Sequence, residues 1–192
     1  MNLTRSLATT ALILGLTASP VLAEAFRVTT LRASPGKLEQ LIEQVKQHRA
    51  EQRGRVLVMR HSQGDHWDLM LLEPAGDGAL RQPEFSGLAD FQHTFFAESG
   101  ASFKGLQQQA MAAGLYHIEM FRAVAGKHEA LLDQRDRENR YLADTGQVVN
   151  VIFTTSVGSD VDVFTVGFLA DLAAFAAGPA VSDEEAELAA RE

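Results

Sequence analysis

The chain has 192 residues, of which 46% are hydrophobic and 22% charged, with 15 Gly and 5 Pro. These values describe a folded globular chain of one domain or two small ones and exclude a disordered or collagen-like polymer. The absence of Cys excludes a disulfide framework, a thiolate zinc site and a thiol nucleophile, and the formal charge of −8 makes nucleic acid a poor partner, because phosphate is held by Lys and Arg.

The chain opens with a short segment carrying one positive charge, Arg5. An apolar run with Leu7, Ala11, Leu12, Ile13, Leu14 and Leu16 follows, then a Ser19-Pro20 break and the small-residue end Val21-Leu22-Ala23. This is the pattern of a secretory signal cleaved after Ala23. The apolar run is shorter than the roughly 20 residues needed to span a bilayer. The expectation is a periplasmic or secreted protein that starts at Glu24, with no membrane contact once residues 1–23 are removed.

The remaining elements follow in order. Residues 26–33 alternate β-favouring side chains and predict a strand. Ser34-Pro35-Gly36 is a turn that opens a helix, in which Leu38, Leu41, Ile42 and Val45 form an apolar stripe. Residues 55–62 and 66–73 read as strands joined by a hairpin turn at Gln63-Gly64-Asp65. A Gly/Pro loop covers 75–83, and Leu88, Phe91, Phe95 and Phe96 predict a helix over 88–98. The Gln- and Ala-rich stretch 102–113 is a linker with helical character. Residues 116–123 then predict a strand, 126–144 a helix, 148–156 and 162–168 strands, and 169–176 a helix. Residues 183–192 form an acidic tail. No closing strand is evident in either half.

An internal repeat organises this order. Residues 26–44 align with 116–134 at an offset of 90, with Arg32/Arg122, Ala33/Ala123, Gly36/Gly126, Lys37/Lys127, Glu39/Glu129, Leu41/Leu131 and Gln44/Gln134 identical. Further on, Gly64 and Asp68 lie over Gly158 and Asp162 at an offset of 94. The fold class expected is α+β: two β-α-β-β-α ferredoxin-like repeats, 24–104 and 105–192, in one chain. The strand, the Pro35-Gly36-Lys37 or Ala125-Gly126-Lys127 turn, the helix and the hairpin strands ending at Glu73 or Phe168 resemble the dimeric α/β-barrel superfamily. Antibiotic-biosynthesis-type monooxygenases, haem-degrading monooxygenases and NIPSNAP-like proteins are among its members. The likeness covers about 26–98 and 116–176. It implies that two ferredoxin-like sheets pack face to face as a pseudo-dimeric barrel within one molecule, so that monomers are possible, with higher homo-oligomers left open.

Positions at which the two copies differ supply the candidate site residues. On the strand at 116–123, His117 and Glu119 share a mixed face expected to look into the barrel. There they suit a metal pair, a base with its orienting group, or a solvated pair at a strand mouth. In the following helix, His128 and Arg135 replace Leu38 and Val45, and Asn139 follows one turn later. Arg135 is the residue best suited to an anionic ligand, or else a member of a network with Glu138. His61 and His66 flank the hairpin turn as weak metal candidates, near the sole tryptophan, Trp67, which is a pocket wall or a core residue.

There is no nucleophile elbow, phosphate loop, paired-His zinc motif or dinucleotide fingerprint, so no tightly bound haem, flavin or other cofactor is expected. Three readings of function stand. The first is a binding or accessory protein holding a small molecule in the barrel. The second, which the resemblance implies, is a cofactor-free monooxygenase-like enzyme acting on an electron-rich small molecule, with His117 as base, Glu119 orienting it, and Asn139 and Trp67 positioning substrate. The third is an interaction module whose barrel is filled by side chains.

Overall fold

The computed structural model describes residues 23–62, 66–76 and 84–190. The signal expected over 1–23, apart from Ala23, lies outside these residues, as do the hairpin turn at 63–65 and most of the Gly/Pro loop. Among the described residues seven strands and five helices follow one another: β1 (Glu24–Ala33), α1 (Leu38–Glu51), β2 (Leu57–Arg60), β3 (Leu69–Pro74), β4 (Ala89–Ser99), α2 (Phe103–Ala112), β5 (Leu115–Phe121), α3 (His128–Asp144), β6 (Val151–Val157), β7 (Val163–Leu169), α4 (Leu172–Ala176) and α5 (Asp183–Ala189). None of these helices is long and apolar enough to cross a membrane.

All seven strands join one antiparallel sheet in the order β2-β3-β1-β4-β6-β7-β5. It curls into a nearly closed barrel whose two ends, β2 and β5, have no strand between them among the described residues. The halves therefore meet edge to edge through β4 and β6, and do not stack as two separate sheets. Such a union satisfies the backbone groups of both edges at once.

The segment 88–98 corrects the sequence reading. It is strand β4, paired with β1 from Glu24↔Ser99 to Ala33↔Ala89. Phe91 and Phe95 lie four apart, a spacing that serves a helical stripe and a strand face equally well. Phe96 distinguishes the two: a helix would bury it beside Phe95, whereas here it points to the other face and is 40% exposed. The open edge of β1 decides the outcome, because a helix at this position would leave its amides and carbonyls without partners.

The concave face holds the main core. Phe26, Phe95, Phe153 and Phe164 are fully buried there with Val28, Met70 and Leu72. Phe153 and Phe164 stack at 4.5 Å, Phe26 meets Phe153 edge-on at 5.4 Å, and Phe95 meets Phe164 edge-on at 6.0 Å. Such pairs add to the burial of large apolar surfaces. Helix α2 covers this core with Phe103 and Leu106, and the Ser102 hydroxyl caps its first turn. On the convex face, Leu41 and Val45 of α1 cover Leu31, Leu69 and Leu71.

The same local frame recurs on both sides. Gly36 and Gly126 take φ of 73° and 74° just before α1 and α3, a conformation that glycine adopts without strain. Asp68 accepts the amide of Ala33 at 2.7 Å, and Asp162 accepts the amide of Ala123 at 2.8 Å.

Beneath α1 lies a buried ion network. Glu73 is fully buried and faces Arg27 across β1 and β3. Arg27 donates Nε and Nη2 to Glu73 Oε2 at 3.0 and 2.9 Å, and His48 of α1 donates Nε2 to Oε1 at 2.9 Å. A buried charge is tolerable only with such partners. Glu73→Ala, which strands the Arg27 guanidinium, is expected to lower unfolding free energy by about 3–5 kcal/mol, and Glu73→Gln by less, as read by urea denaturation.

Candidate functional site

The gap between the barrel's two free edges is a cleft. Its walls come from the end of β2 and the following turn (Arg60, His61, Ser62) and from the start of β5 (Leu115–Ile118), with Trp67 at the back and Leu172 and Phe175 of α4 at one side. Its volume is about 640 Å³. The outward row of β2 and the first residues of β5 are held by β3 and β7 on their far sides only, so the edge that faces the cleft is unpaired.

Trp67 is only 6% exposed and packs into the concave core, and its indole Nε1 is buried with no hydrogen-bond partner among the described residues. A buried donor without an acceptor costs about 1–3 kcal/mol. His61 stacks on the indole with ring centroids 4.2 Å apart and planes 19° from parallel. Its Nδ1 lies 2.7 Å from the Trp67 carbonyl oxygen. A carbonyl only accepts, so Nδ1 carries the proton and Nε2 of the neutral ring keeps a free lone pair. Tyr116 is half-buried, with its ring edge-on to Phe168, and its hydroxyl has no hydrogen bond among the described residues. Burial pushes the Tyr116 phenol above its ordinary value, against a smaller opposing pull from the Arg49 charge. It is therefore a lasting O–H donor at neutral pH. Arg60 stands exposed at the rim. The cleft thus joins aromatic walls to one hydroxyl donor, one acceptor and a cation.

The sequence-predicted residues fall differently. Tyr116, Ile118 and Met120 of β5 face the concave core, so His117 and Glu119 point to the convex side, not into the barrel as expected. The reason is strand parity: the more apolar of the two faces of β5 is the one the barrel buries, just as Phe26 and Val28 are on β1. His117 stands at the edge where the cleft meets a second hollow beneath α3, with its ring 4.8 Å from Phe175. Glu119 lies 3.8 Å from Arg135, which is 7% exposed, pairs with Glu138 and places its guanidinium 4.1 Å over the Phe121 ring. Asn139 is committed to the backbone of Asn150, donating to its carbonyl at 2.7 Å and accepting its amide at 2.9 Å. His128 lies 3.7 Å from Asp162, away from both hollows. His66 packs edge-on against Phe91 at 4.8 Å while His61 stacks on Trp67, so the two imidazoles have separate partners. Among the described residues no group of three metal-ligating side chains is close enough to hold an ion.

Sequence reasoning found Trp67 and His61 without their pairing, and missed Tyr116 and Arg60. Tyr116 read as one more residue of the apolar face, expected to pack on helices. The only available signal was its hydroxyl at the place where the aligned first copy has Phe26.

No protein-family model matches the sequence, and no curated protein matches it. Among solved structures, the crystal structure of an anthrone oxidase-like protein matches over 88% of this chain and 84% of its own, at 12% identity and a TM-score of 0.55. A chlorite dismutase variant from Candidatus Nitrospira defluvii matches over 89% and 84% at 14% identity, with a TM-score of 0.44. A heme-binding protein from Thermus thermophilus matches over 81% of each chain at 16% identity, with a TM-score of 0.41. At 12% identity the first likeness is one of fold alone, an α+β barrel-like architecture.

The Tyr116 environment has a measurable consequence. A phenol whose value is raised on folding contributes stability that is complete below the unfolded value of 10.0 and is lost as pH rises through the folded one. Ultraviolet titration of the folded protein, which holds two tyrosines, is expected to show a phenolate step above 10 that disappears in Tyr116→Phe.

Proposed function

We propose that this chain is a small-molecule-binding protein of the dimeric α/β-barrel type, and that the open seam between β2 and β5 holds a planar, largely apolar molecule bearing a hydrogen-bond acceptor or acidic group. The observation that carries this reading is the cleft itself, about 640 Å³, walled by Trp67, Tyr116 and Phe175 and bordered by Arg60, with the Tyr116 hydroxyl unbonded among the described residues. The aromatic walls would take the ring, the Tyr116 hydroxyl would donate to an acceptor on it, and Arg60 would meet a developing or full negative charge.

The chain is read as two ferredoxin-like units. The order β2-β3-β1-β4 is that of a complete unit, and β6-β7-β5 repeats its first three strands without a fourth. The recurring glycine and aspartate geometry before α1 and α3 supports the same reading. The seam is then the place of the strand the second unit lacks, which explains why a cleft opens there. The third reading, a barrel filled by side chains, describes the Phe26–Phe153–Phe164 centre but not the 640 Å³ seam.

A second reading is enzymatic, and His61 favours it. Its tautomer is set by the Trp67 carbonyl, so Nε2 is an oriented base able to take a proton from a phenol-type substrate held in the seam, as a cofactor-free oxygenase requires. In this reading the base is His61; His117 stays at the cleft edge. Likeness to an anthrone oxidase-like protein is support at the level of fold alone.

The binding reading is tested with 4-nitrophenol. Because Trp67 is the only tryptophan, its emission is a clean reporter. Saturable quenching is expected, weakened about threefold to tenfold in Tyr116→Phe and Arg60→Ala, as for loss of one hydrogen bond or ion contact. Quenching that stays linear in probe would refute the seam as a site. Oxygen uptake with anthrone, lost in His61→Ala while 4-nitrophenol still binds, would select the enzymatic reading.

We also propose that the protein is exported, on the strength of residues 1–23. Expression of the full chain in a Gram-negative host is expected to release, on osmotic shock, a species whose intact mass begins at Glu24.

A further inference from the structure

The second hollow lies outside the barrel, between β5, β7, α3 and the turn that joins α4 to α5, with a volume of about 410 Å³. It occupies the position at which the first half of the chain carries a buried carboxylate. Across β1 and β3, Arg27 faces Glu73; at the same register across β5 and β7, His117 faces Gly167. On the helix above, His48 contacts Glu73, and the residue at its offset of 90 is Glu138. The first half thus has a side chain bridging strand and helix. The second has no carboxylate at that strand position: Gly167 offers no Cβ, the Asn150 side chain stands over it with Oδ1 2.7 Å from where a Cβ would be, and strand and helix are joined instead by Glu119 with Arg135.

Two of the polar groups around this space are left without hydrogen bonds. The imidazole of His117 and the side-chain amide of Asn150 make no hydrogen bond among the described residues, and both line the hollow. Glu119 Oε2 is buried and accepts no hydrogen bond among the described residues, with Arg135 3.8 Å away. Glu119 and Glu138 share a single cation, Arg135, so the wall carries a net negative charge where the first half's wall, Arg27 and His48, surrounds an anion. The sign of the missing bridge is therefore inverted. Leu142, Val148, Leu169 and Phe175 supply apolar surface beside it.

We propose that this hollow is a binding site for a small organic cation, a primary ammonium or guanidinium with a short apolar tail, whose charged head takes the bridging place that Glu73 fills in the first half. The head donates to Glu138 and Glu119 and to the Asn150 amide oxygen. The tail lies against Leu142, Leu169 and Phe175. This site is separate from the seam, although His117 and Phe175 border both.

The test uses three probes of one shape and different charge: phenethylammonium, 2-phenylethanol and 3-phenylpropionate. Each is titrated into the ¹⁵N-labelled protein and followed by amide and indole NMR signals. Phenethylammonium is expected to give saturable shifts at Gly167 and Asn150, with a Kd of about 1 mM as befits a fragment of this size, and to leave the Trp67 indole signal in place. The alcohol and the carboxylate should bind at least about tenfold more weakly there, and Glu138→Gln should weaken the cation by a similar factor. If that variant unfolds because Arg135 loses its partner, the charge series on the unmodified protein decides alone. Absence of saturable shifts at Gly167 and Asn150, equal binding of the three probes, or shifts centred on the Trp67 indole would overturn the proposal.

Discussion

β4 has hydrogen-bonded neighbours along both edges, β1 on one side and β6 on the other, and the rest of the architecture depends on that double pairing. It takes up the open edge of β1 over ten residue pairs. It then offers its other edge to the C-terminal half, so two short sheets become one. Continuous pairing transmits strand twist across the junction, and a twisted antiparallel sheet of this width curls. Curling brings Phe95 of β4 onto Phe164 of β7 and Phe26 of β1 onto Phe153 of β6, so one aromatic core is shared by both halves.

A barrel of seven strands in this order leaves the outer edges of β2 and β5 facing each other across a gap. Free strand edges are a liability that proteins cover or exploit. Here the gap is bordered by α4 and by Trp67, and the Tyr116 hydroxyl beside it makes no hydrogen bond among the described residues. The wall is neither a sealed core nor ordinary surface.

The two convex faces show how one frame takes opposite polar fillings. Under α1, a carboxylate on β3 gathers an arginine from β1 and a histidine from α1. Under α3, the strand position is glycine, the arginine has moved to the helix as Arg135, and carboxylates occupy β5 and α3. Backbone register is the same, so the difference rests on a few side chains. A filled network stabilises the fold at the first position; a hollow with unpaired polar groups remains at the second.

Local signals in the sequence were enough for most elements. Alternation over β1 and β5, the Gly36 and Gly126 turns and the apolar stripe of α1 depend on near neighbours, so α+β character was legible from residues alone. Trp67 and His61 were legible as chemistry-bearing side chains for the same reason. What needed tertiary structure was every choice between two locally equal options. Phe91 and Phe95 suit a helix or a strand, and only the unpaired edge of β1 made the segment β4. His117 and Tyr116 lie on opposite faces of one strand, and only burial of the concave face put Tyr116 inward and His117 outward. The stacking of His61 on Trp67, the seam beside Tyr116 and the replacement of Glu73 by Gly167 join residues far apart in the chain. Nothing in local sequence encodes them, because register and curvature of the whole sheet set those distances.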